Sequence, residues 1–330
     1  MEGDNPDMRS LRRFPNVCLR TSLALPLAAA LLSLVACSRG PAATPDDPST
    51  AAGTFGLDTV PTGAGGAQQP DLLQRADGSW VLAFARDRLG DNHAYVVTSR
   101  DGTSWSEPTR LPSAAYSDAS PVIREEGDTL HAMFVSNRTG TWKAYETSSS
   151  DGRTWSPAIP VDVPAQSPQD LAIASTSSAQ LLALETMTGG VVCSRRPGSR
   201  TPWPRPVTLE VRGGAPSLAL DPDGLGLAWI RQGEVCSLYG ETAQGTWSPR
   251  QKTVTGQVAW LRGQSELYIV ATPDGRLEVQ QRDGSLVARL GTGSTAPAID
   301  PCGVRSTQGK LWITFTDETT GRIRLARERV

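Results

Sequence analysis

Histidine is nearly missing from this 330-residue chain, which contains only His93 and His131. Two imidazoles leave little material for a multi-histidine metal centre or a serine–histidine–aspartate relay, so zinc-hydrolase and serine-hydrolase chemistry is disfavoured from the outset. Lysine is confined to Lys143, Lys252 and Lys310, and 32 basic against 34 acidic side chains leave a formal charge of -2. No strong positive field exists to neutralise phosphates, so nucleic acid is not an expected partner. No metal or cofactor motif is evident, and no cofactor is expected. Helix-favouring runs are few, and apolar runs are short except for one near the N-terminus.

That run follows Arg9, Arg12, Arg13 and Arg20 and extends uncharged from Leu23 to Ala36. At about 14 residues it is shorter than the roughly 20 that a bilayer-spanning helix needs. Residues 1–36 therefore read as a secretory signal peptide. The segment ends in Leu34-Val35-Ala36-Cys37, which resembles the bacterial lipobox. The resemblance implies that Cys37 is acylated, becomes the mature N-terminus and holds a domain to a membrane surface; a simple cleaved signal peptide is the alternative. Ser38, where an aspartate would favour inner-membrane retention, points to the outer membrane. Residues 37–53, rich in Ala, Pro, Thr and Asp, read as a flexible tether. Cys193, Cys236 and Cys302 then remain in an oxidising compartment. Cys193 and Cys236 occupy matching places in successive repeats, so a disulfide is conceivable. Such places usually lie beyond the roughly 4.4–6.8 Å Cα separation that a bridge allows, and buried free thiols are the simpler reading.

From residue 54 to 330 the chain repeats. With 32 Gly, 25 Pro and nine Trp it is turn-rich, and a small residue or Gln followed by proline recurs ahead of an apolar strand at Pro70, Pro121, Pro168, Pro216 and Pro297. Val258–Leu261 opens a further unit without the proline, making six. Each unit places a first strand such as Ser120–Ile123 before an apolar second strand: Trp80–Ala85, Leu130–Val135, Leu181–Leu184, Leu225–Ile230, Leu267–Thr272 and Leu311–Thr316. A third strand such as Ala94–Val97 follows. Period-two alternation and Gly or Asp-Gly turns every eight to twelve residues favour strands, and four per repeat is the arrangement of a β-propeller blade. The expected fold is all-β, a six-bladed propeller. Its last repeat stops after Arg322–Leu325, and the N-terminal strand Phe55–Val60 is expected to supply the missing outer strand and protect the sheet edge.

Two units carry Ser99-Arg100-Asp101-Gly102-Thr103-Ser104-Trp105 and Ser149-Ser150-Asp151-Gly152-Arg153-Thr154-Trp155 after the third strand, with worn copies at Thr201–Trp203 and Gln244–Pro249. They resemble the Asp box, the bacterial neuraminidase repeat, in which Asp accepts backbone N–H bonds in a tight turn, Gly tolerates positive φ and Trp packs between blades. The resemblance to sialidases extends to Leu82–Ala94, where an apolar strand runs into Arg86-Asp87-Arg88-Leu89-Gly90-Asp91. It implies Arg88 as a substrate arginine and Asp91 as the acid/base, with His93 beside it. Arg86 stands where sialidases carry Glu and is itself a candidate to hold substrate. Tyr239 with Glu241 matches a tyrosine nucleophile and its activating carboxylate, and Arg231 and Arg124 are further candidates to hold substrate. The leading arginine of the family is replaced by Gln68. A second segment, Ser136–Trp142, offers Asn137, Arg138 and Trp142 for hydrogen bonding and stacking on a sugar ring.

These readings converge on an exported, membrane-tethered propeller that recognises glycans with an incomplete sialidase site. An active exo-glycosidase and a protein-binding scaffold are the alternatives; oligomeric state is left open. Labelling with a fatty-acid analogue is expected to mark the wild-type chain and not Cys37→Ser. Labelling that persists in the variant would contradict the lipobox reading.

Overall fold

The computed structural model describes residues 55–329 apart from 64, 89–90, 114–115, 164–166, 176–178, 198–200, 211–212, 222–223, 232–233, 241–247, 256, 263, 273–275, 282–284 and 291–297. The expected signal peptide, Cys37 and the tether lie outside the described residues, as do Glu241 and most of the second worn turn.

Each repeat becomes a meander of antiparallel strands. A leading strand β1 (Phe55–Thr59) precedes the first sheet, β2 (Ala67–Gln74), β3 (Trp80–Arg88), β4 (Asp91–Ser99) and β5 (Thr109–Arg110). The second sheet is β6 (Asp118–Glu126), β7 (Thr129–Ser136), β8 (Lys143–Ser149) and β9 (Ile159–Pro160). The third is β10 (Pro168–Ser175), β11 (Gln180–Thr186), β12 (Val191–Arg196) and β13 (Val207–Glu210). The fourth is β14 (Gly214–Asp221), β15 (Gly224–Arg231), β16 (Glu234–Gly240) and β17 (Ser248–Thr255). The remaining strands are β18 (Gln257–Arg262), β19 (Gln264–Ala271), β20 (Leu277–Gln281), β21 (Leu286–Leu290), β22 (Ala298–Arg305), β23 (Leu311–Asp317) and β24 (Arg322–Glu328).

The last seven strands and β1 form one eight-stranded sheet in the order β1-β24-β23-β22-β18-β19-β20-β21. The propeller therefore has five blades counted as hydrogen-bonded sheets, not the six expected. The cause is parallel pairing of two inner strands, Leu261 with Gly303 and Arg262 with Val304, which fuses the fifth and sixth repeats. β18 is the inner strand that lacks the repeated proline, so its backbone keeps an N–H at each position for such pairing. β1 lies antiparallel on β24, from Phe55 opposite Glu328 to Thr59 opposite Arg324, in the outer-strand position anticipated for Phe55–Val60.

Alternation explains the core. In β3, Trp80, Leu82 and Phe84 face one way, packing with Val304, Ile323 and Leu325 of the last repeat. Val81 and Ala83 face the other way, against Ile123, Leu130 and Phe134 of the second. Both faces are dry because each sheet is sandwiched between neighbours, which is why the second strands read as continuous apolar runs. Phe84 and Phe134 are fully buried, and trimming either to Ala should cost about 3–5 kcal/mol.

The two Ser-x-Asp-Gly turns have the same geometry. Asp101 Oδ1 accepts from the N–H groups of Thr103 and Ser104 at 2.8 Å, while Gly102 N donates to Ser99 Oγ at 2.8 Å. Asp151 Oδ1 accepts from Arg153 N at 2.8 Å and Thr154 N at 2.7 Å, and Gly152 N donates to Ser149 Oγ at 2.9 Å. Gly102 and Gly152 have φ of 70° and 72°, left-handed values that cost glycine little. Trp105 packs on the cluster between the last and first repeats, and Trp155 on that between the first and second.

The donated N–H bonds, that of Thr154 foremost, hold the Asp151 carboxyl down at about 2. A depressed carboxylate stabilises the fold above its unfolded value near 4, and that contribution is lost as pH falls through the folded value. The melting-temperature gap between wild type and Asp151→Asn should accordingly be widest near neutral pH and close between about pH 4 and 2. A gap independent of pH would contradict this account of the turn.

Candidate functional site

The first strands of all six repeats enclose a central channel, a cavity of about 420 Å³ whose lining includes Gln69, Val122, Ile173, Ser217, Gln257 and Asp300. At one rim five inner strands share a distortion. Gln69, Ser120, Ser167, Ala215 and Asp300 have φ between 41° and 55°, and each immediately precedes a proline. A bulge sits at or beside each of these positions. In the sixth repeat the left-handed step falls at Asp300 ahead of Pro301, while the expected marker Pro297 lies outside the described residues. Strain of this kind costs roughly 1–3 kcal/mol per residue and persists only where surroundings impose it.

A bulge releases an N–H from the ladder, and that donor needs an acceptor. Neighbouring repeats supply it. Asp300 N donates to Gln257 Oε1, Gln69 N to Asp300 Oδ2 at 3.1 Å, and Ser120 N to Gln69 Oε1 at 3.0 Å. Gln69 Nε2 donates in return to Ser120 Oγ at 3.0 Å, and Ala215 N donates to Glu185 Oε2 at 2.9 Å. Gln68, the residue at the family's leading arginine, lies instead opposite Ala85 within the first sheet.

Deeper in the channel Arg262 Nη2 reaches both oxygens of Asp71 at 2.6 Å, and its Nη1 donates to the Ile123 carbonyl at 2.6 Å. Asp71 Oδ2 accepts from Ile123 N at 2.6 Å, and Cys302 Sγ donates to Asp71 Oδ1 at 3.3 Å. Four repeats meet in this cluster. Burial and the adjacent Asp71 charge push the Cys302 thiol up to about 12, despite Arg262. Burial alone places Cys193 at about 12 as well, and both are free and unreactive thiols.

Just outside the rim the first and second repeats meet at Asp118, fully buried at the start of β6. Neither carboxylate oxygen has a hydrogen-bond partner. His93 Nδ1 stands 3.7 Å from one and Arg138 Nη2 3.8 Å from the other. Arg110 Nη2 lies 3.0 Å from the same His93 nitrogen and donates to Ser113 Oγ at 3.0 Å. Arg138 donates to Ser136 Oγ and the Pro112 carbonyl, and its guanidinium lies 4.0 Å from the Tyr145 ring centroid. Asn137 and Ser117 exchange hydrogen bonds, presenting Tyr116, 47% exposed, on the adjoining surface.

The structure sorts the sequence candidates. His93 and Arg138 do approach one another across Asp118, with Asn137 bonded to the adjoining Ser117, whereas Trp142 packs part-buried on the cluster between the second and third repeats. Asp91 is exposed but sits in a strand opposite Arg88, not in a loop, because β3 and β4 extend to a short hairpin. His93 faces Asp118 and Arg110, a different partner from the Asp91 expected. Arg86 is buried, bonds to the Thr62 carbonyl and lies 4.0 Å from the Tyr95 ring centroid, so its role is structural rather than substrate-binding. Arg124 pairs with Glu126 at 2.9 Å and Glu146 at 2.5 Å, with His131 3.1 Å from Glu146. Burial raises the Glu146 carboxyl, but His131 and Arg124 more than offset that and hold it below its usual value. Arg124, which also lines the channel, is thus held in a part-buried network between the second and third repeats. Arg231 and Tyr239 occupy strand positions opposite Glu234 and Gly226, and nothing is described of their side chains or of that of Arg88. Asp118, Arg110 and Tyr116 are absent from the sequence reading, and the rim residues entered it only as the small residue or Gln ahead of each proline, Asp300 not at all; the signal for Asp118 was an acidic residue two places before Ser120-Pro121. Among the described residues no group of three His, Cys, Asp or Glu could hold a metal ion.

No protein-family model matches the chain, and no curated protein matches it. Solved structures do share its fold. An α-L-arabinofuranosidase from Fusarium graminearum, solved with an iminosugar inhibitor, is similar with a TM-score of 0.62 at 14% identity over 80% of this chain and 93% of its own. An α-L-arabinanase from Penicillium chrysogenum, complexed with arabinobiose, gives 0.61 at 12% identity over 82% and 94%. Trypanosoma rangeli sialidase gives 0.63 at 11% identity, over 80% of this chain and 55% of the sialidase. The chain is an all-β propeller of the kind seen in these glycoside hydrolases.

Proposed function

We propose that this chain is an exported propeller that recognises glycans at the channel mouth, its sialidase-type machinery incomplete. The observation that carries the reading is the meeting of polar side chains from adjacent repeats, His93 with Asn137 and Arg138, beside the rim of a channel whose fold is shared with glycan-acting proteins. The exposed aromatic face of Tyr116 suits a pyranose or furanose ring, and the amide of Asn137 suits its hydroxyls. Arg86, Arg124 and Arg138 are committed to protein partners, and Gln68 stands where the sialidase likeness places an arginine. Turnover that depends on a guanidinium clamp would suffer accordingly. The two boxes at Asp101 and Asp151 serve as blade fasteners in this reading, and Cys37 as the lipid attachment that tethers residues 54–330 to the outer membrane.

Active exo-glycosidase chemistry is the second reading, favoured by the enzymes among the structural neighbours. It would use Asp91 as acid and Tyr239 with Glu241 as nucleophile. The purified chain is expected to show little or no release of aglycone from aryl sialosides and aryl arabinofuranosides, together with measurable binding on a glycan array. Robust hydrolysis abolished by Asp91→Asn and Tyr239→Phe would overturn the binding-only reading. Absence of both turnover and glycan binding would favour a protein-binding scaffold.

A further inference from the structure

We infer that the junction of the first two repeats at Asp118, with His93 and Arg138 beside it and Arg110 and Tyr116 on the adjoining surface, is the specificity element of the mouth, and that it selects neutral, hydroxyl-rich sugars over acidic ones. The inference rests on the glycan reading above. Asp118 is fully enclosed, yet both of its oxygens lack hydrogen-bond partners. Buried carboxylates are ordinarily paired and hydrogen-bonded, and one held short of its partners is typical of a site that completes itself with a ligand. The shortfall is small. His93 and Arg138 stand 3.7 and 3.8 Å away, so a shift of under about 1 Å brings either to bonding distance.

The surroundings keep Asp118 where it is. Two residues on, Ser120 is locked in its left-handed conformation by paired bonds with Gln69. One residue before, Ser117 is tied to Asn137. The side chains of His93 and Arg138, 12% and 14% exposed, cover Asp118. An ionised carboxylate is acceptor-only, so what it can take from a ligand is a donated hydroxyl proton. Its negative charge also cancels one of the two guanidinium charges beside it, and exposed Asp91 at the start of β4 adds another negative group. A carboxylated sugar entering here meets a buried like charge and no uncommitted guanidinium among the described residues of the cleft. A neutral ring can stack on Tyr116 and donate a hydroxyl toward Asp118 as His93 swings aside. Like-charge juxtaposition is a device for rejecting the wrong ligand.

Calorimetric titration of the full chain and its Asp118→Asn variant with arabinobiose, lactose and sialyllactose tests this. Wild type should bind a neutral disaccharide at least tenfold more tightly than sialyllactose. Asp118→Asn, which keeps shape and removes charge, should weaken neutral binding at least tenfold and strengthen sialyllactose binding several-fold, with circular dichroism and melting temperature close to wild type. A merely structural Asp118 would not invert the preference. Preference of the wild type for sialyllactose, or neutral binding unchanged in the variant, overturns the inference while leaving the glycan reading intact. If none of the three sugars binds either protein, the glycan reading falls and the inference with it. Should the variant unfold, Tyr116→Ala must still cost neutral binding at least fivefold, and unchanged affinity there is equally contrary.

Discussion

The bond between Arg262 and Asp71 is the interaction on which the ring depends. Repeats pack on their neighbours through apolar faces, but such faces tolerate sliding and do not define how many repeats close or where each inner strand stops. The guanidinium reaches from the fifth repeat to a carboxylate of the first and a carbonyl of the second, and the carboxylate is met by the thiol of Cys302 in the sixth. Buried pairs of this kind add little net stability over an apolar substitute, yet breaking one by removing a single partner typically costs about 3–5 kcal/mol. Their use is to fix an arrangement, and here the arrangement is ring closure.

From that pin the rim follows. Inner strands held close around a channel must bend, and five of them bend at a left-handed residue ahead of a proline. Each bend strands a donor, and side chains of adjacent repeats capture most of those donors in turn, from Gln257 through Asp300 and Gln69 to Ser120. The rim is therefore a hydrogen-bonded hoop that fixes the start of β6, and with it Asp118. What the mouth can bind is in this sense decided inside the channel.

Much of the fold was legible from periodicity. The six apolar second strands lie within β3, β7, β11, β15, β19 and β23 apart from Thr272, which falls just after β19, and the leading strand pairs where its length and the truncated last repeat required. Sheet count was not legible, because fusion of two repeats depends on main-chain pairing at Leu261 and Arg262 that no side-chain pattern announces. The candidate site was legible only in part. Segments rich in polar and aromatic residues were identified, but partners were not: Arg86 and Arg124 read as free cations in sequence, and tertiary contacts with Thr62 and Glu146 consume them. Asp118 was missed because a single acidic residue ahead of a strand looks like ordinary turn chemistry until its burial is known. The Gln69-Pro70 pair was read as punctuation and Asp300-Pro301 was not singled out, whereas the side chains of Gln69 and Asp300 build the hoop.

A double-mutant cycle on Arg262→Met and Asp71→Asn, followed by thermal and denaturant unfolding, is the most direct test of the channel pin. Each single substitution leaves a charge buried without its partner and should destabilise the propeller by about 3–5 kcal/mol, while the double variant should be no less stable than either single one. Small losses that simply add would show that the two residues act independently, and would contradict the claim that this bond closes the ring.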